Sequence, residues 1–128
     1  MRVLGIGTDI IECLRIAQMI ERHGELFLNR VYTPSEIGYC SARAAATQHY
    51  AGRWAAKEAV LKAMGTGWAR GIQWVDIEVR NDERGRPTIA LGGGAREVCE
   101  RLGVREMHIS ISHCRTFATA YAVACGDD

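Results

Sequence analysis

The stretch from Gly52 to Gly67, GRWAAKEAVLKAMGTG, constrains this chain more than any other. Ala, Leu, Lys, Glu and Met are good helix formers, so the stretch predicts a helix. Gly65 is a natural stop, because it accepts the left-handed conformation of a helix end without a Cβ penalty. Ala56, Ala59, Val60 and Ala63 fall at i, i+3, i+4 and i+7, the apolar stripe of a helix seated on a core. Glu58 and Lys62 are four apart and point together on the other side, bordered by Trp54 and Leu61. Two roles are open to that pair. It is either a surface ion pair, which contributes little, or the working face of a site, and the helix alone does not decide.

The rest of the chain supplies the partners of that helix. Residues 2 to 11 read as a strand whose Gly5 and Gly7 let another backbone or a ligand come close. Asp9 interrupts its apolar run, and a carboxylate there calls for a partner, a metal or a helix to cap. A first helix is expected over Glu12 to His23, with Ile16, Met19 and Ile20 as its apolar stripe and Gly24 as its stop. A short helical segment follows from Glu25 to Val31. Thr33-Pro34-Ser35-Glu36 then has the form of a capping box with Pro at the first helical position, opening a helix that runs to about Ser41. The long helix is expected from about Ala44 to Met64, with Gly52 as its weak point. Ile72 to Val79 alternates as a half-buried strand, and Pro87 to Leu91 is its hairpin partner across a polar turn. A helix from Ala95 to Leu102 precedes two strands, Met107 to Ser112 and Phe117 to Cys125, joined by His113-Cys114-Arg115-Thr116. Strands and helices do not alternate regularly, which favours α+β with an antiparallel sheet on the long helix over a doubly wound parallel sheet.

Composition excludes several classes. A chain of 128 residues with 48% hydrophobic and 24% charged residues is expected to form one globular domain, 1–128. A net charge of +1 advertises no nucleic-acid partner and no membrane surface. No apolar run reaches membrane-spanning length, and the N-terminus lacks the h-region and cleavage site of a signal peptide. The five cysteines are odd in number, scattered and without C-x-x-C, so reduced thiols in a cytoplasmic protein are expected.

Three segments carry a resemblance. GIGTDI (Gly5 to Ile10), GRWAAKEAVLKAMGTG (Gly52 to Gly67) and HISISH (His108 to His113) are similar, in order and across essentially the whole chain, to the signatures of the bacterial holo-acyl-carrier-protein synthases. These are the small-subunit group of the 4′-phosphopantetheinyl transferases. The resemblance implies that family's fold: α+β, with a small antiparallel sheet against a long central helix and shorter helices. It also implies transfer of the 4′-phosphopantetheine arm from coenzyme A to a serine of apo-acyl-carrier protein. Adenosine 3′,5′-bisphosphate is the other product, Mg²⁺ is required, and the assembly is a homotrimer with active sites between subunits.

Residue by residue, Asp9 and Glu58 match the family's metal ligands. This explains a carboxylate in an apolar strand better than capping does. Mg²⁺ takes oxygen ligands and uses one or two carboxylates with substrate phosphates and water. Lys62 is placed to neutralise or protonate the leaving phosphate. Glu58, directly or through a metal-bound water, is the first candidate for the base on the serine. Arg53, Gly65, Arg86, Pro87 and His113 resemble coenzyme-contacting positions. For His113 an unliganded turn histidine is the alternative, and for Lys57, which also matches the motif, a structural ion pair. Arg15 and Arg22 share a face of the first helix, and Arg30 follows; these would meet the acidic carrier protein. The chain departs from the family in carrying few basic residues there, and in placing Trp54 and Met64 where Phe is frequent. Two competing functions stand beside this one: a Mg²⁺-dependent hydrolase of phosphate esters using Asp9 and Glu58, and a binding module without turnover.

Overall fold

Helix α4, Ala46–Met64, is enclosed by the rest of the chain over most of its circumference. In the computed structural model, which describes residues 1–68 and 71–128, the chain runs β1 (Arg2–Glu12), α1 (Cys13–His23), α2 (Glu25–Val31), α3 (Pro34–Ser41) and α4. It continues through a 3₁₀ turn (Trp74–Asp76), β2 (Ile77–Asn81), β3 (Pro87–Leu91), α5 (Gly93–Leu102), β4 (Val104–His113) and β5 (Phe117–Gly126). The strands form an antiparallel three-stranded sheet in the order β1-β5-β4 and a separate hairpin of β2 and β3.

Small residues let α4 approach the sheet closely. Ala118, Ala120, Ala122 and Ala124 alternate along β5 and are all buried against it. On β1 the helix comes closer still. A Cβ added to Gly7 would lie 1.9 Å from the carbonyl oxygen of Ala59, and one added to Gly5 would lie 2.0 Å from that of Ala63. The glycines of the first strand thus serve a backbone contact with α4. Gly52, expected as a weak point, has a similar reason: an added Cβ would meet Ile111 of β4 at 2.9 Å.

The second face of the sheet is open. Ile6 and Ile10 of β1 and Phe117 and Tyr121 of β5 are all exposed, and the register places Tyr121 beside Thr8 on one side and Ser110 on the other.

Buried polar groups fasten the short elements to α4. The capping box forms as expected, with Thr33 Oγ1 accepting from the Glu36 backbone and Glu36 Oε1 accepting from the Thr33 backbone at 2.9 Å. Glu36 is also half of a buried ion pair. Lys57 Nζ donates to Glu36 Oε1 at 2.8 Å, to the Ile77 carbonyl at 2.6 Å and to the Trp74 carbonyl at 3.1 Å. Glu36 Oε2 accepts from the Val79 backbone at 2.9 Å. Both side chains are 0% exposed, so the ammonium's three donors and both carboxylate oxygens are satisfied inside the protein. Lys57 therefore holds α3, α4 and β2 together, the structural one of its two open roles.

Two expectations are corrected. Residues 72 to 76 are not strand. The Asp76 carboxylate accepts from the Gln73 backbone at 2.9 Å and winds Trp74–Asp76 into the 3₁₀ turn, so β2 begins at Ile77. Leu61 does not border the Glu58–Lys62 face; it is buried in the core.

Candidate active site

Two clusters of chemistry-bearing side chains lie along α4. The first is the stripe Trp54, Glu58, Lys62, the side of the helix that the fold leaves accessible. Gly7 is pressed against Ala59, so β1 carries Asp9 alongside this stripe. Lys62 Nζ donates to Asp9 Oδ1 at 3.2 Å and to the Thr8 carbonyl at 2.9 Å. The Asp9 side chain is only 16% exposed, whereas that of Lys62 is 54% exposed and free to turn toward solvent. Asp9 is thus sheltered and paired with a cation. Glu58 has a different partner: the indole N–H of Trp68 donates to its Oε1 at 3.2 Å. Gly65 ends the same stripe in the left-handed conformation, φ 76°.

The second cluster gathers residues distant in sequence. Tyr39, His49, Gly52, Arg53, Asn81, Gly85, Pro87, Ile111 and His113 line one cleft between α3, α4, the β2–β3 hairpin and the end of β4. Arg53 is 4% exposed. One terminal nitrogen donates to Asn81 Oδ1 at 2.8 Å, its guanidinium lies 4.2 Å over the Tyr39 ring, and its Nε is buried with no hydrogen-bond partner among the described residues. Arg43 sits over the same ring at 3.3 Å. His113 Nδ1 is 2.8 Å from Gln48 Oε1, and its ring is 4.9 Å from that of His49. Burial pushes the His49 imidazole below its ordinary range, and His113, Arg43 and Arg53 push it the same way. A guanidinium and two imidazoles in the cleft, a second guanidinium stacked on its wall and an unpartnered buried donor among the described residues make a cradle for a polyanion.

The structure thus brings Arg53, Pro87 and His113 together and Asp9, Glu58, Lys62 and Gly65 together. Arg86 is exposed beside Pro87, on the adjoining groove between β3 and β4 rather than in the cleft. Arg15, Arg22 and Arg30 are all exposed on α1 and α2, with Leu14 and Leu26 also exposed among them. Sequence reasoning missed Tyr39, His49 and Asn81 in the cleft, Arg43 on Tyr39 and Gln48 on His113 at its border, and Trp68 on Glu58. None belongs to a spaced motif. The signal available was a run of polar residues, Thr47-Gln48-His49, in the first turn of a helix otherwise rich in alanine.

Asp9 and Glu58 offer carboxylate oxygens from facing elements, a donor set suited to Mg²⁺, which keeps waters and phosphate oxygens for its remaining positions. Among the described residues no group of three or more His, Cys, Asp and Glu side chains forms a closed metal cage.

Fold and motifs together define the class of protein. Residues 5–125 match the model of the 4′-phosphopantetheinyl transferase superfamily. The holo-[acyl-carrier-protein] synthase of Koribacter versatilis is 48% identical over 121 residues, covering 94% of this chain and 97% of that protein. The synthase of Gloeobacter violaceus is 49% identical, covering 94% and 92%. Among solved structures, the Helicobacter pylori synthase in complex with coenzyme A superposes with TM-score 0.83 at 32% identity, covering 94% of this chain and 99% of that one. The Neisseria meningitidis synthase gives 0.87 at 31% identity, covering 95% and 98%. The chain belongs to the holo-[acyl-carrier-protein] synthase family of enzymes.

Proposed function

We propose that this protein transfers the 4′-phosphopantetheine arm of coenzyme A to a serine hydroxyl of an apo-acyl-carrier protein, releasing adenosine 3′,5′-bisphosphate and requiring Mg²⁺. The observation that carries the reading is the convergence of Arg53 and His113, far apart in sequence, on one cationic cleft with a buried Nε unpartnered among the described residues. Such a cleft suits the phosphorylated nucleoside end of the coenzyme, with Pro87 as an apolar wall for the base. The Helicobacter pylori relative holds coenzyme A, and a Bacillus anthracis relative holds its 3′,5′-ADP portion. Gly65 and Arg86 lie at the edges of the two clusters and contact the same ligand in this reading.

Asp9 and Glu58 would hold the metal. When bound, Mg²⁺ supplies charge neutralisation at the pyrophosphate. Phosphoryl transfer is mostly positioning and charge stabilisation, and the residues of this chain are suited to both. Lys62 leaves Asp9 and swings its exposed ammonium to the phosphate that departs, where negative charge accumulates. Glu58 accepts the proton of the attacking serine hydroxyl. Arg53 and His113 fix the coenzyme, so the phosphorus is presented in line.

The carrier protein docks on α1 and α2. Exposed Arg15, Arg22 and Arg30 meet its acidic face, and exposed Leu14 and Leu26 bury against it. The open face of the sheet, with Ile6, Ile10, Phe117 and Tyr121, is covered by neighbouring copies in a homotrimer. Arg53 and Glu58 are about 140° apart around α4, so the cleft and the carboxylates of one copy are suited to serve two different sites at subunit interfaces. The whole chain, 1–128, acts as one domain in the cytoplasm. No helix among the described residues is long and apolar enough to cross a membrane.

The test is intact-mass analysis of apo carrier protein after incubation with coenzyme A, Mg²⁺ and the enzyme. Conversion by wild type, and none by folded Asp9→Ala or Glu58→Ala, is expected. Conversion by either variant at the wild-type rate would remove its carboxylate from the metal site. Coenzyme cleavage without a carrier would favour a hydrolase.

A further inference from the structure

Glu58 is held by an element that no motif includes. After α4 the chain turns through Gly65 and Gly67, both at positive φ (76° and 62°), and these bring Trp68 back beside the helix it has just left. There the indole N–H donates to Glu58 Oε1 at 3.2 Å. The ring is fixed from behind: Trp68 lies 3.9 Å from Trp74, Trp74 stacks 4.3 Å from Trp54, and Trp54 stacks 6.0 Å from Phe27. The carbonyl of Trp74 is itself held by buried Lys57 at 3.1 Å. A column of four aromatic rings, tied to the buried ion pair, therefore ends on one oxygen of one carboxylate.

We propose that Trp68 is a positioning residue for Glu58: its indole N–H fixes one carboxylate oxygen and leaves the other aimed at the divalent cation and the carrier serine. This rests on the assignment of Glu58 to the metal and the proton transfer. The chemistry of the donor supports it. An indole N–H only donates and carries no charge, so it orients the carboxylate without cancelling the charge that attracts a cation. Asp9 has the opposite arrangement, with the charged ammonium of Lys62 as its partner. A glutamate on an open helix face has three side-chain torsions to order. A fixed donor removes part of that freedom before the cation arrives, as outer-shell partners of metal ligands do.

Trp68→Phe keeps a ring in the stack and deletes the N–H. Melting temperature should be unchanged. Mg²⁺ affinity by titration calorimetry should fall about tenfold, kcat should fall with it, and the KM for coenzyme A should stay put. In isotope-labelled wild-type protein the Trp68 indole resonance should shift as Mg²⁺ is added and should move in Glu58→Ala. That measurement needs no aromatic substitution. A Trp68 resonance indifferent to both, or a Trp68→Phe enzyme with wild-type Mg²⁺ affinity and kcat, overturns the proposal while leaving Glu58 in place. A Glu58→Ala enzyme that still binds Mg²⁺ and turns over as wild type overturns the assignment of Glu58 and the proposal with it.

Discussion

Lys57 sits next to Glu58 in the signature stretch, yet its ammonium makes only structural contacts, and Lys57→Met separates the two kinds of role. Methionine has about the right length and no charge, so the substitution leaves the space filled. It strands the Glu36 carboxylate and the carbonyls of Trp74 and Ile77, which Lys57 Nζ holds at 2.8, 3.1 and 2.6 Å. Glu36 keeps its two backbone donors, from Thr33 and Val79, so its charge is only partly compensated. Removing one partner of a buried pair costs about 3–5 kcal/mol. In a chain of this size 1 kcal/mol shifts the melting temperature by roughly 3–5 °C, so a drop of about 10–20 °C is expected. Replacing both partners, Glu36→Met with Lys57→Met, removes the stranded charge and should recover part of the loss despite the two backbone N–H groups it orphans. The assay is thermal unfolding of the three proteins, with the transfer assay run well below each transition. A Lys57→Met protein that melts within a few degrees of wild type refutes the energetic reasoning. One that melts normally but does not turn over would show that Lys57 has a chemical role the contacts do not reveal.

Gly7→Ala inserts a methyl group 1.9 Å from the Ala59 carbonyl oxygen; overpacking of about 3 kcal/mol or more is expected, read as a lowered denaturation midpoint. Arg53→Ala should raise the KM for coenzyme A far more than it lowers kcat, because Arg53 belongs to the cleft; a pure kcat effect would move it to the chemistry. His49 is held below its ordinary 6.5 by burial and its cationic neighbours, so it is neutral in the free protein at pH 7. A bound polyanion favours its protonation, so the KM for coenzyme should fall as pH drops from about 7.5 to about 6, and His49→Gln should flatten that slope. In the unliganded protein the same shift has the reverse sign. The unfolded chain takes up the proton first, so folding stability declines as pH falls below about 6.5 and levels off beneath the folded-state value.

The fold was legible where side-chain period carried the information. The alternation of alanine with larger residues along β5 exposed which face meets α4, and the capping box at Thr33 marked the start of α3 to the residue. The beginning of β2 was not legible, because Val75 continues the alternation of Ile77 and Val79 while Asp76 bends the backbone by accepting from the Gln73 N–H, a choice made by one side chain. Leu61 and Lys57 were hard to place for a single reason: α4 is buried nearly all round, so the accessible stripe Trp54, Glu58, Lys62 is too narrow to include the positions beside it. The stripe Glu58–Lys62 and its link to Asp9 could be seen from spacing and resemblance. The cleft could not be seen as a whole. Tyr39, His49, Asn81 and His113 meet only after four elements, α3, α4, β2 and β4, have packed, and nothing local about Asn81 distinguishes it from any other polar residue at the end of a strand.

The most direct measurement is a mixing experiment between Arg53→Ala, which damages the coenzyme cleft and is nearly silent at coenzyme A concentrations far below its raised KM, and Glu58→Ala, which removes a carboxylate, both assayed at such a concentration. Each is assayed for carrier-protein modification alone, and then after subunit exchange in an equal mixture. If transfer occurs at a site that takes its cleft from one copy and its carboxylates from the next, mixed assemblies contain some intact sites, and activity returns on mixing. If the mixture stays as inactive as its parts while exchange is verified by mass, cleft and carboxylates act within one copy, and the account of a shared transferase site is contradicted.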